Sequence, residues 1–94
     1  MHEQMLDEPW GVSPSVAFRP EPFGALAYHF GNRKLTFLKR PEMVRLVQHL
    51  AETDTVRSAL QDIGIPAESH NAYVGALRGL ATIDIIRPRG EVSE

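Results

Sequence analysis

A chain of 94 residues, 43% hydrophobic and 23% charged, has material for one globular domain with a thin core, and neither a second domain nor a deep substrate cavity fits. It contains no cysteine, which excludes disulfide staples, thiol nucleophiles, thiolate zinc sites and iron–sulfur ligation by this chain. The net charge is −2, with ten basic residues scattered singly or in pairs, so the electrostatic footprint of a nucleic-acid binder is missing.

The start, Met1-His2-Glu3, is acidic and lacks the basic-then-apolar pattern of a signal peptide. No apolar run approaches the roughly 20 residues of a spanning helix. The expectation is a cytoplasmic protein with no membrane partner. Residues 1–12 hold Glu3, Asp7, Glu8 and Pro9 with few apolar partners and read as a flexible tail. Trp10 is the exception, an indole expected to cover a patch of core.

From Ser13 to Leu38 the apolar period is two, as strands require. Val16 and Phe18 mark a first strand. Pro20-Glu21-Pro22 and Gly24 then impose a bend, since neither proline can donate to a ladder. Leu26, Tyr28 and Phe30 alternate with Ala25, Ala27 and His29, predicting a half-buried strand with its large residues on one face. Gly31 and Asn32, which tolerate positive φ, form with Arg33 and Lys34 a hairpin connection to a last strand, Lys34 to Lys39. On that strand Leu35 and Phe37 are expected under the helices, and Thr36 and Leu38 on the other face.

After Lys39 the period becomes 3.6. Pro41 suits a first helical turn, and Met43, Leu46, Val47 and Leu50 form the stripe of helix one. Thr53, Asp54 and Thr55 can cap a second helix striped by Val56, Ala59, Leu60 and Ile63, with Gly64 as its stop. A third opens near Glu68 or Ser69, carries an apolar face of Tyr73, Val74, Leu77, Leu80 and Ala81, and runs to about Thr82. Ile83 to Ile86 return to an extended run, and residues 88–94 read as a flexible tail. The domain proper is thus 13–87, an α+β fold with a three-stranded antiparallel sheet followed by three helices.

The motifs that carry chemistry are absent. His2, His29, His49 and His70 show no metal-ligand spacing, the carboxylates are spread singly, and the seven glycines make no phosphate loop. No catalytic residue, metal or cofactor is assigned, and the chain reads as a non-enzyme. His29, opposite Tyr28 and Phe30, reads as a solvated or partner-facing ring. Helices two and three joined through Gly64-Ile65-Pro66 resemble a helix-turn-helix, the alternative being a small DNA-binding regulator. Glu68, Ser69, His70 and Asn71 are poor phosphate and base readers, however, so no nucleic acid is expected. What remains is the sheet edge at Lys34–Lys39, where a peptide laid alongside would gain main-chain hydrogen bonds.

The run Arg19-Pro20-Glu21-Pro22-Phe23-Gly24-Ala25-Leu26-Ala27-Tyr28-His29-Phe30-Gly31-Asn32-Arg33-Lys34-Leu35-Thr36-Phe37-Leu38-Lys39 resembles the signature of the mycofactocin peptide chaperone family. That family belongs to the PqqD-like recognition elements of ribosomal peptide natural-product (RiPP) pathways. The resemblance covers roughly residues 12–87 and implies a winged-helix-like PqqD fold. It implies binding of a precursor-peptide leader as an added strand between the last strand and the third helix. It also implies a radical SAM maturase as partner, acting on the precursor's C-terminal Val-Tyr pair. By position, the peptide-binding residues are Lys34, Leu35, Thr36, Phe37, Leu38 and Lys39 on one wall and His70, Tyr73, Val74, Leu77 and Arg78 on the other. Phe23 and His29 are candidates for docking the maturase. One departure concerns the end of the third helix, where many PqqD-like chains place a glycine and this one has Asp84 before Ile85 and Ile86; aspartate tolerates the left-handed conformation better than most residues.

Overall fold

A computed structural model describes residues 2–89, with side chains from Met5 onward. Strand β1 (Trp10–Val12) precedes β2 (Val16–Glu21), β3 (Gly24–His29) and β4 (Leu35–Leu38). Helices α1 (Pro41–His49), α2 (Val56–Asp62) and α3 (His70–Thr82) follow, and β5 (Ile86–Pro88) closes the described chain. The architecture is α+β, with an antiparallel sheet in the order β2-β3-β4 and a separate antiparallel pair, β1-β5.

Each helix starts and stops where its chemistry dictates. Pro41 occupies the first turn of α1, where its missing N–H costs nothing. The Thr55 hydroxyl accepts the Ser58 N–H at 3.1 Å and caps α2. The stop of α2 places Gly64 at φ 85°, with Ile65 N–H donating to the Leu60 carbonyl at 3.0 Å. The stop of α3 repeats that geometry on a non-glycine residue: Asp84 sits at φ 62° and Ile85 N–H donates to the Leu80 carbonyl at 2.9 Å. Leu46, Val47, Leu50, Val56, Leu60, Leu77, Ile85 and Ile86 are buried in one core.

The sheet faces are the reverse of the size-based expectation. Ala25, Ala27 and His29 are buried, while Leu26 and Tyr28 are half-buried on the outer face. On β4, Leu38 is buried and Thr36 partly so, whereas Leu35 and Phe37 are 64% and 42% exposed. Helix α1 lies directly against β3 and β4, and alanines at the contact let it approach where Leu and Tyr would hold it off. The β3–β4 connection also differs in detail. Arg33, not Gly31 or Asn32, takes positive φ, at 64°. The Gly31 and Asn32 N–H groups are held by the His29 ring, and Lys34 N–H by the Asn32 side chain at 2.9 Å.

The N-terminal segment expected as a loose tail is built into the fold. A 3₁₀ turn spans His2–Asp7 and buries Met5 and Leu6 against α2 and α3. Asp7 pairs with Arg57 at 3.0 Å, and Trp10 lies half-buried against the core with its Nε1–H donating to Glu8 at 3.0 Å. Strand β1 pairs with β5 in the register Trp10↔Pro88, Gly11↔Arg87, Val12↔Ile86. The C-terminal expectation is likewise revised at Pro88 and Arg89. Arg89 donates to the Trp10 carbonyl at 2.8 Å and to the carbonyls of Leu50 and Thr53, locking the β1-β5 pair onto the end of α1. Residues 90–94 of the expected tail lie outside the described residues.

Gly24 is fixed by close approach. A Cβ there would lie 1.7 Å from the Leu38 carbonyl oxygen, so β3 and β4 can meet only with hydrogen at that position. The Gly24→Ala variant is therefore expected to lose about 1–3 kcal/mol of stability, read as a lower urea midpoint. Wild-type stability in that variant would rule out the close contact.

Candidate functional site

Both β2 and β4 are edges of the sheet, and the chemistry of their outward backbone groups separates them. In an antiparallel pair, hydrogen-bonded and non-hydrogen-bonded residue pairs alternate. Phe30 N–H donates to the Ser15 carbonyl at 2.7 Å, which sets the β2–β3 phase: Val16, Phe18 and Pro20 direct their main-chain groups away from β3. Pro20 has no N–H, and that of Val16 is taken by the Ser13 carbonyl at 3.1 Å. Phe18 is then the one donor that β2 can offer, so this edge is blunted.

Strand β4 has the opposite character. His29 N–H donates to the Lys34 carbonyl at 3.0 Å, and the register pairs Tyr28↔Leu35, Ala27↔Thr36, Leu26↔Phe37 and Ala25↔Leu38. Thr36 and Leu38 therefore bond inward to β3, while Leu35 and Phe37 present N–H and C=O outward. Among the described residues β4 pairs with β3 alone. Lys34 and Lys39 flank the edge and are exposed.

Beyond the end of β4 lies a cleft of about 320 Å³ lined by Arg40, Met43, Ala72, Tyr73 and Ala76. Arg40 and Met43 come from the entry to α1, where Pro41 starts the helix directly after the strand. Ala72 and Ala76 are one turn apart on α3 and leave the space open, and Tyr73 is half-buried beside them. Arg40, two residues past Leu38, links the edge to the cleft along the chain.

The positions expected to form the site fare differently. Lys34–Lys39 forms the edge and Tyr73 the cleft wall. Val74 and Leu77 belong to the core, because α3 turns this face inward toward β5 and the N-terminal turn. Arg78 is exposed. His70 is corrected: its ring is 5% exposed and bonded through Nε2 to the Ile65 carbonyl at 3.0 Å, so it ties the α2–α3 connection together instead of lining a groove. Phe23, at the tip of the β2–β3 turn, is 71% exposed. Arg40, Met43, Ala72 and Ala76 were not foreseen; the signal was the pair of alanines beside Tyr73, bland in composition but small enough to leave a cleft.

His29 is also corrected, from a partner-facing ring to a buried bridge. Its Nδ1 accepts the N–H groups of Gly31 at 3.0 Å and Asn32 at 3.2 Å, so the ring proton sits on Nε2 and is donated to Asp84 Oδ2 at 2.7 Å. Arg87 grips the same carboxylate through Nε at 2.7 Å and Nη2 at 3.0 Å. The Arg87 guanidinium first, and the His29 imidazole second, hold the Asp84 carboxyl well below the usual carboxylate range, while Asp84 raises the Arg87 pKa. Where a glycine would merely permit the turn, Asp84 permits it and also joins the sheet to the end of α3. Among the described residues, no three His, Cys, Asp or Glu side chains gather as a metal would need, and no helix is long and apolar enough to cross a membrane.

The fold and its open edge define a small α+β binding domain. The chain matches the peptide chaperone MftB family over residues 9–87 and belongs to that family. It is 46% identical over 83 residues to the peptide chaperone MftB of Mycobacterium tuberculosis, covering 88% of this chain and 76% of that protein. It is 44% identical over 89 residues to the peptide chaperone MftB of Mycolicibacterium smegmatis, covering 92% and 87%. No solved structure matches.

Because the Asp84 carboxyl titrates lower in the folded than in the unfolded chain, its contribution is fully present above the ordinary carboxylate pKa and is lost as pH falls below it. Asp84→Asn keeps tolerance for positive φ but removes the charge. At pH 7 it is expected to lower stability by about 1 kcal/mol, with the gap to wild type closing in urea titrations below about pH 4. A gap independent of pH would show that the carboxylate charge is not what joins sheet and helix.

Proposed function

We propose that this chain is a peptide chaperone that takes the leader of a ribosomally made mycofactocin precursor as an extra strand alongside β4. In this reading it presents the precursor to a radical SAM maturase acting on the C-terminal Val-Tyr pair, works in the cytoplasm, and does no chemistry itself. The observation that carries the reading is the asymmetry of the two sheet edges. The β2 edge is blunted by Pro20, whereas β4 offers two donors and two acceptors at Leu35 and Phe37. An extended peptide satisfies those groups whatever its side chains are, which gives main-chain affinity, and the cleft beside Tyr73 gives a place to read a side chain. Family membership supports the same reading, since the similar proteins carry the name peptide chaperone.

Two proline substitutions separate strand addition from other modes of binding. Phe37→Pro removes an outward N–H and leaves the β3–β4 ladder intact. Against a Phe37→Ala control it is expected to weaken leader binding about 5–10-fold in calorimetry, the worth of one main-chain hydrogen bond. Thr36→Pro removes an inward N–H and is expected to lower the stability of the domain itself. A folded Phe37→Pro variant binding as tightly as Phe37→Ala would exclude pairing at that residue.

A further inference from the structure

The outer face of the sheet is apolar and uncovered. Leu26 and Tyr28 of β3 are half-buried there, next to Leu35 and Phe37, at 64% and 42% exposure, and Phe30, at 58%. Tyr28 and Phe30 meet edge to face with ring centroids 5.2 Å apart, which holds the two rings as one fixed surface. These residues stand on the side of the sheet opposite α1, and no other described element packs over them. An apolar patch this continuous on a small domain marks a place of interaction.

Charge says what kind of partner fits. Residues 16–40 carry Arg19, Arg33, Lys34, Lys39 and Arg40 against the single acid Glu21, whereas the whole chain is net −2. All five are exposed; Arg19 stands 3.8 Å from Glu21 on the outer face, and Arg40 lies on the cleft wall, which leaves Arg33, Lys34 and Lys39 as the uncompensated charge beside the sheet. The sheet is therefore the basic pole of a molecule that is acidic elsewhere. A second copy seated face to face would set two basic rims against each other. The face is complementary to an apolar surface with an acidic rim.

We propose that the outer face of the sheet, with Tyr28, Phe30 and Phe37 at its centre and basic residues at its rim, is a second docking surface for a folded protein with an acidic rim. That occupant is the maturase of the proposed function, and the inference rests on that reading for the partner's identity. The face is distinct from the peptide edge in atoms but continuous with it. Leu35 and Phe37 give main-chain groups to the edge and side chains to the face, so a peptide added beside β4 lengthens the surface the enzyme meets.

The test uses the full chain, the purified maturase and the leader peptide, with Phe30→Glu and Arg19→Glu variants checked for folding by thermal melts. Phe30 lies outside β4, so the peptide edge is untouched. Phe30→Glu is expected to weaken maturase binding tenfold or more, and Arg19→Glu to weaken it less and to flatten its salt dependence, with leader affinity unchanged in both. Wild-type maturase affinity in both variants overturns the docking surface while leaving the peptide reading intact. Loss of leader binding in the wild type overturns the proposed function instead. Self-association in sedimentation that Phe30→Glu abolishes, or binding of wild type to phosphatidylserine vesicles that Phe30→Glu abolishes, would assign the face to a second copy or to a bilayer and overturn the inference.

Discussion

The imidazole of His29 is the joint on which the arrangement depends. One ring nitrogen gathers the N–H groups of the β3–β4 turn, and the other donates to Asp84 at the stop of α3. Arg87, at the start of the return strand β5, holds the same carboxylate. Three side chains thus tie the β3–β4 turn to the end of α3 and to the entry of the β1-β5 pair. In a domain with so thin a core, such a joint decides which of several similar packings is populated.

The inner face of the sheet follows from the same constraint. With His29 turned inward, alternation forces Ala27 and Ala25 inward as well, and α1 settles on them. The cost is an outer face of large apolar residues left in water. The same phase continues into β4, where Leu38 and Thr36 face in and the backbone of Leu35 and Phe37 faces the open edge. Edge chemistry, outer face and core are therefore consequences of a single register, and a slip by one residue would exchange them all.

Much of this was legible in the sequence, for identifiable reasons. The helices were marked by 3.6-residue stripes, by Pro41 and Thr55 at their starts, and by Gly64 and Asp84 at their stops. The identity of the edge strand followed from element order. The facing of the strands did not, because both faces are apolar and the usual preference for large residues inside was overridden by the close seat of α1 on alanine. Nor could the edge phase be read, since it is set by which residue of the turn first bonds across, here His29 to Lys34. The N-terminal turn and Arg89 were missed because their partners, α2 with α3 and the carbonyls of Leu50 and Thr53, lie far away in sequence.

The central claim is that a peptide completes the sheet at β4 through particular main-chain groups. Amide hydrogen exchange on the chain with and without saturating leader peptide addresses it residue by residue. Strand addition predicts that the Leu35 and Phe37 amides become protected on binding while Thr36 and Leu38, already bonded to β3, change little. Protection confined to α3, or unchanged exchange at Leu35 and Phe37 with the peptide bound, would contradict it.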